Sequence, residues 1–262
     1  MKIAVKIFKK EIKEVIKNRS IWLPVLIITV IFSLAFPTIL TLSVDKFLED
    51  PDALEFIGKI FPGQGNPQEL FISFAIKQLI IFLLLIPAML PSLIAPASII
   101  MEKDSRTLEP LLATPIKTHE LLLGKTLTSI IPSFIISTTS FLILVLTIDI
   151  TAYIKLGIIP LPTVEWIIVA FIVSPTISFI ITMLSVIISS RSTDIRSAQG
   201  IGSVVIFPIY AIIGFQIGGF FLLNKIYLLI GCLVLIIICP LLLKLGIKIF
   251  DRENILTKWK MK

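Results

Sequence analysis

Gly124-Lys125-Thr126 ends like a phosphate-binding loop, in which glycines let backbone N–H groups close around a phosphate that the lysine then reaches. The full pattern, G-x-x-x-x-G-K-S/T, needs glycine at position 119, where this sequence has His119. No strand pattern precedes it, so ATP is not expected to bind this chain. His119 is the only histidine, which leaves no His and Cys set for a zinc site. Cys232 and Cys239 stand seven apart in one apolar run, on one helix face and too far along it to bridge. They read as small apolar fillers. The apolar runs carry no nucleophile with a base beside it and no chain of acids and bases that could relay ions. Lys77 sits near the end of one run and reads as a snorkelling side chain. No catalytic residue, cofactor site or metal site is expected.

What must position any function is therefore the body of the chain. Of 262 residues, 56% are hydrophobic and only 16% charged, and mean hydropathy is +1.03. A soluble domain carries about a quarter charged residues. Several apolar runs exceed the roughly 20 residues that cross a hydrocarbon core, and a lone strand there would leave its backbone unpaired. The expected class is an all-α integral membrane protein with six transmembrane helices. They fall at about 22–44, 71–100, 125–148, 164–189, 201–223 and 226–249. The net charge of +7 could point to nucleic acid, but the basic residues cluster at span flanks. Nineteen of the 24 Lys and Arg fall on one side of this arrangement and five on the other. That bias puts the N and C termini in the cytoplasm and makes the lipid bilayer, with no nucleic acid, the expected partner. The extramembrane pieces are too short to bury cores of their own, so residues 1–262 read as one domain.

Residues 2–19 form an amphipathic N-terminal interface helix. Ala4, Val5, Phe8, Ile12, Val15 and Ile16 share one face; Lys6, Lys9, Lys10, Lys13 and Lys17 share the other. A charged region this long, with no cleavage site after the apolar run, does not read as a leader. Trp22 anchors the first span at the interface, and Pro37 is expected to kink it. The loop 45–70 is acidic. Within it Asp52 is expected to cap a short interfacial helix, with Glu55 as its reciprocal cap and Pro62-Gly63 as its stop. Pro87, Pro91 and Pro96 are expected to break the second span and to free carbonyls that neighbours or water must satisfy. Ser137, Thr138, Thr139 and Ser140 in the third span serve either helix packing or a polar path. An outer loop is expected over 149–163 and an inner one over 189–200. Gly214-x-x-x-Gly218 in the fifth span would let two helices approach closely.

Between the second and third spans lies the most charged and turn-rich connection, Glu102 to Pro115, reading EKDSRTLEPLLATP. Thr107-Leu108-Glu109-Pro110-Leu111 suits a short helix start. Thr114-Pro115 stops it, and Thr118 can cap a new helix. The pattern is helix, break, helix at the membrane surface; a solvated loop is the other reading.

The stretch Glu102–Lys125 resembles the signature of the ABC-2-type permease family, the membrane subunits of ATP-driven exporters similar to sodium- and drug-efflux permeases. The resemblance rests on Glu102, Thr107, Leu108, Glu109, Leu111, Leu112, Thr114, Pro115, Leu123, Gly124 and Lys125. Ser190, Arg191, Asp194, Arg196, Ala198, Gln199 and Pro208 extend it. It implies a permease of the cell membrane that is not itself an enzyme and moves a substrate outward. It also implies two ABC ATPase subunits, which carry the ATP and Mg, and a second permease copy, as homodimer or paralogous heterodimer. Residues 102–120 become the coupling segment, with Glu102, Arg106, Thr107, Leu108, Glu109, Leu111, Leu112 and Pro115 facing the ATPase. The interface helix joins that surface through Phe8, Ile12, Lys13 and Val15. Gly214 and Gly218 become helix-packing or dimer positions beside a path lined by the first, second and fifth spans. A non-transporting scaffold with an ATPase partner, or a haem-export and cytochrome-maturation permease, is the alternative within the same resemblance.

Overall fold

A computed structural model of the chain describes residues 8–9, 12–13, 15–17, 19–60, 66–104, 118–189, 200, 204–217 and 225–249. Among these every regular element is a helix, the arrangement that lets each backbone N–H and C=O bond within its own segment when water is absent. The first rod is α1 (Arg19–Val30), a π-helical turn (Ile31–Ala35) and α2 (Phe36–Leu42). Two short helices follow, α3 (Val44–Leu48) and α4 (Pro51–Ile60). Then come the two longest, α5 (Pro67–Asp104, 38 residues) and α6 (Thr118–Leu156, 39 residues). The next rod is α7 (Val164–Ile168), a second π-helical turn (Val169–Val173) and α8 (Ser174–Ser189). Last come α9 (Phe207–Ile217) and α10 (Lys225–Ile249).

Five stretches are long and apolar enough to cross a membrane: Trp22–Leu42, Glu69–Ser98, Leu122–Lys155, Val164–Ser189 and Ile226–Ile249. The expected fifth span, 201–223, is described only as α9 and the turn before it; residues 218–224 lie outside the described residues.

The post of the bundle is α5. Its apolar window is 76% buried against 17% for α10, so α10 lies at the rim and α5 in the middle. It packs against α1, α6 and α8, and Leu79, Leu83, Ile86, Leu90, Ile94 and Ile100 are fully enclosed. Aromatic rings tie the rods to one another. Phe32 stacks on Phe82 of α5 with centroids 5.0 Å apart, and Phe141 of α6 stacks on Trp166 at 6.2 Å. Such pairs add dispersion and quadrupole attraction where lipid supplies no hydrophobic drive.

The prolines behave differently from expectation. Pro87, Pro91 and Pro96 do not break the second span; α5 runs through all three. Pro91 has no N–H for the carbonyl of Pro87, four residues back. Ser178 of α8 takes the vacant place, its hydroxyl donating to that carbonyl at 2.9 Å with both residues buried. Pro37 acts on the turn before it. Its ring and missing N–H exclude the ordinary bond to residue 33, and the helix widens by one residue, so that the N–H of Phe36 donates to Ile31. The same happens before Pro175, where Ser174 donates to Val169. In both places the sequence is Pro-Thr-Ile. Each threonine donates back into the π turn: Thr38 to the Leu34 carbonyl and Thr176 to that of Ile172, both at 2.6 Å.

Two loop boundaries also differ. The helix expected to end near Ile148 continues to Leu156, leaving only residues 157–163 as the connection. Its polar last turns hold partners. Lys155 pairs with Asp45, and the Asp149 carboxylate accepts the Leu161 N–H at 3.1 Å. At α4, Asp50 rather than Asp52 supplies the cap: its carboxylate accepts the Asp52 N–H at 3.1 Å, with Pro51 at the first helical position, where its fixed φ suits the turn. Glu55 instead pairs with Lys59, 2.7 Å away on the same helix, an exposed pair that adds little.

Ser178→Ala should lower stability by about 1–3 kcal/mol, the cost of a buried carbonyl left unpaired. In a Pro91→Ala background, which restores an N–H to the Pro87 carbonyl, the same substitution should cost close to nothing. Thermal unfolding in detergent reads both; equal losses in the two backgrounds would sever the Ser178–Pro91 link.

Candidate functional site

The place to look is where α5 stops and α6 starts, since these helices carry the connection 105–117. Arg106, Thr107, Leu108, Glu109, Leu111, Leu112 and Pro115 lie outside the described residues. Glu102 stands in the last turn of α5, and α6 begins at Thr118, where the sequence offers a cap. The root of this hairpin is well defined. Leu122 is fully buried and lies with Met183 of α8 beside Gly246 of α10, whose missing Cβ would come within 3.5 Å of the Met183 sulfur.

Lys125 is at the same level. It is only 3% exposed, and its Nζ donates to the Ser98 hydroxyl of α5 at 2.8 Å. The lysine has a further polar or electrostatic contact besides that bond. Among the described residues it is the one charged side chain that is buried. The residues around it supply helix-internal bonds: Thr126 donates to the Leu123 carbonyl and Thr128 to that of Gly124.

The N-terminal segment reaches the same face of α5. Its described residues are helical. Val15 is buried against Val25, Leu90 and Ile94, and the Trp22 indole N–H donates to the Val15 carbonyl at 2.8 Å. Leu90, Ile94 and Ser98 are spaced by four, so the N-terminal segment and Lys125 address successive turns of one stripe. Phe8 and Ile12 are half-buried and Lys13 is exposed. Ile16, expected on the apolar face, is 62% exposed; next to Val15 it points off the face that meets α5.

The hydroxyl run Ser137–Ser140 belongs to a longer seam that sequence reading missed. On α6, Ser129, Ser133, Ser137 and Ser140 are buried; on α8, Ser174, Ser178, Thr182, Ser185 and Ser189 are. Each set repeats at spacings of four and three, the signature of one helix face, and that spacing is where the signal lay. Ser174 donates to Ser137 across the seam at 2.9 Å. Ser133, Ser140 and Thr182 bond carbonyls four residues back in their own helices. Close packing accounts for these bonded hydroxyls; those of Ser129 and Ser185 in the seam, and of Thr138 beside it, are buried without a hydrogen-bond partner.

Gly214 is exposed on α9, and a Cβ placed there would meet nothing within 4 Å; Gly218 lies outside the described residues. Lys77 is exposed at the other end of α5. Cys232 and Cys239 are free thiols. Among the described residues no group of three or more His, Cys, Asp and Glu side chains is gathered to hold a metal.

Long apolar helices around a buried post define a multi-pass membrane protein. The chain matches the ABC-2 family transporter proteins over residues 5–229, and it belongs to that family. Neither the curated proteins nor the solved structures returned a match. Members of that family are membrane subunits without an ATPase domain that typically pair with ATPase subunits.

Proposed function

We propose that this chain is the permease half of an ATP-driven exporter of the cell membrane. Two copies, identical or paralogous, bind two ATPase subunits that carry the ATP and Mg. Six spans with both termini in the cytoplasm fit the distribution of charge, nineteen of 24 basic residues falling on that side. The residues around α9 then supply the crossing that the five apolar stretches leave open.

The observation that carries this reading is the hairpin of α5 and α6. The connection 105–117 joins the post of the bundle to its longest neighbour, and the two are packed along their lengths. Motion imposed on that connection would reach the whole bundle through rigid rods. Glu102, Arg106, Thr107, Leu108, Glu109, Leu111, Leu112 and Pro115 face the ATPase in this reading. The N-terminal helix, through Phe8, Ile12 and Lys13, borders the same surface, while Val15 fastens it to α5. The two permease copies meet at α9, whose Gly214 has an open face, and the substrate path runs between them.

A tagged chain drawn from its native membrane in mild detergent should bring with it an ATPase subunit bearing a phosphate-binding loop, identified by mass spectrometry. Glu109→Lys should keep membrane insertion and abolish the permease's effect on ATP hydrolysis. A preparation free of ATPase even after crosslinking would replace the exporter with a membrane scaffold.

In a Cys232→Ser, Cys239→Ser background, Gly214→Cys should give an oxidised dimer on a gel. Monomer alone there and at neighbouring α9 positions would move the two-fold axis off this helix.

A further inference from the structure

Lys125 sits where an ammonium is costly. Taking it out of water costs several kcal/mol unless opposite charge and hydrogen bonds surround it, and a methionine would fill the same space without that cost. Its bond to Ser98 crosses 27 residues of sequence and joins the end of α5 to the start of α6. These are the two helix ends that carry the connection 105–117.

We propose that Lys125 is a positioning residue for coupling: through its bond to Ser98 it ties the ends of α5 and α6 so that they move as one body. The role rests on the exporter reading above; the tie itself does not. With the tie, displacement of residues 105–117 drives both helices at once. Without it, α6 slides along the post and the displacement is absorbed at the root.

The test uses the complex with its ATPase subunit in lipid nanodiscs. Glu49, exposed at the opposite end of the bundle, is replaced by cysteine in the Cys232→Ser, Cys239→Ser background. Its maleimide labelling is followed with and without MgATP and vanadate. Lys125→Met and Ser98→Ala should both keep membrane insertion and the ATPase subunit. In each the nucleotide-driven change in labelling should fall about tenfold, and the double variant should be no worse than either single, as for partners in one interaction. Lys125→Arg should retain most of that change. Ser98→Ala, which leaves the buried ammonium its other contact, should keep the melting temperature.

An undiminished labelling change in Ser98→Ala overturns the proposal, as does a loss that appears only with a lowered melting temperature. Additive losses in the double variant overturn it as well. Amide exchange on the chain alone decides the tie even if no ATPase binds. Lys125→Met should speed exchange at 98–104 and 118–125 together, and an effect confined to one helix overturns it.

Discussion

A backbone carbonyl without a donor is expensive where no water can reach it, and this chain places proline inside nearly every long helix. Each such proline deprives the carbonyl four residues back of its N–H. At three of them, Pro37, Pro175 and Pro91, a specific remedy is visible. Before Pro37 and Pro175 the turn widens to a π-helix and a following threonine donates back into it. At Pro91 the remedy comes from another helix, through Ser178. Because that last bond runs between α5 and α8, satisfying the backbone of the post also fixes what packs beside it. The serine seam on α6 and α8 follows this logic only in part: Ser133, Ser140 and Thr182 bond their own helices and Ser174 and Ser178 reach across, while Ser129 and Ser185 have no partner.

A post built in this way suits a part that transmits force. It is buried along most of its length, and its neighbours are attached by specific contacts. Phe82 holds Phe32, Ser178 reaches the Pro87 carbonyl, and Ser98 accepts from Lys125. The two π turns sit in the rods on either side, each at a Pro-Thr-Ile. The contrast with α10, mostly uncovered within a single chain, separates an inner frame from a rim that meets lipid or a second copy. The far end is closed more loosely, by the part-exposed Lys155–Asp45 pair and the Asp149–Leu161 bond.

Much of this was legible in the sequence because membrane helices obey a length rule. The limits 164–189 and 226–249 match the helices closely, and the first span ends two residues short of its expected limit. Helix existence follows from hydropathy; what lies inside a helix does not. Prolines in α5 read as breaks because a single sequence does not show that α8 will offer a hydroxyl at the right depth. Residues 149–156 read as loop because their polar character looked solvent-bound, whereas Asp149 and Lys155 find partners in other segments. The D-x-x-E spacing of Asp52 and Glu55 points to the wrong cap, because Pro51 occupies the first helical position and puts the cap at Asp50, immediately before it. Lys125 was read as the end of a family motif, and its burial is visible only once Ser98 is beside it. The coupling residues from Arg106 to Pro115 were legible through family resemblance alone.

The central claim is that the connection between α5 and α6 is where an ATPase pushes on this bundle. A photoreactive phenylalanine analogue at position 111, with a second variant carrying it at position 49, tests this directly in native membranes. After illumination, position 111 should yield a covalent adduct with an ATPase subunit and position 49 none. An adduct from position 49 with none from position 111 would place the ATPase at the opposite end of the bundle and contradict the account.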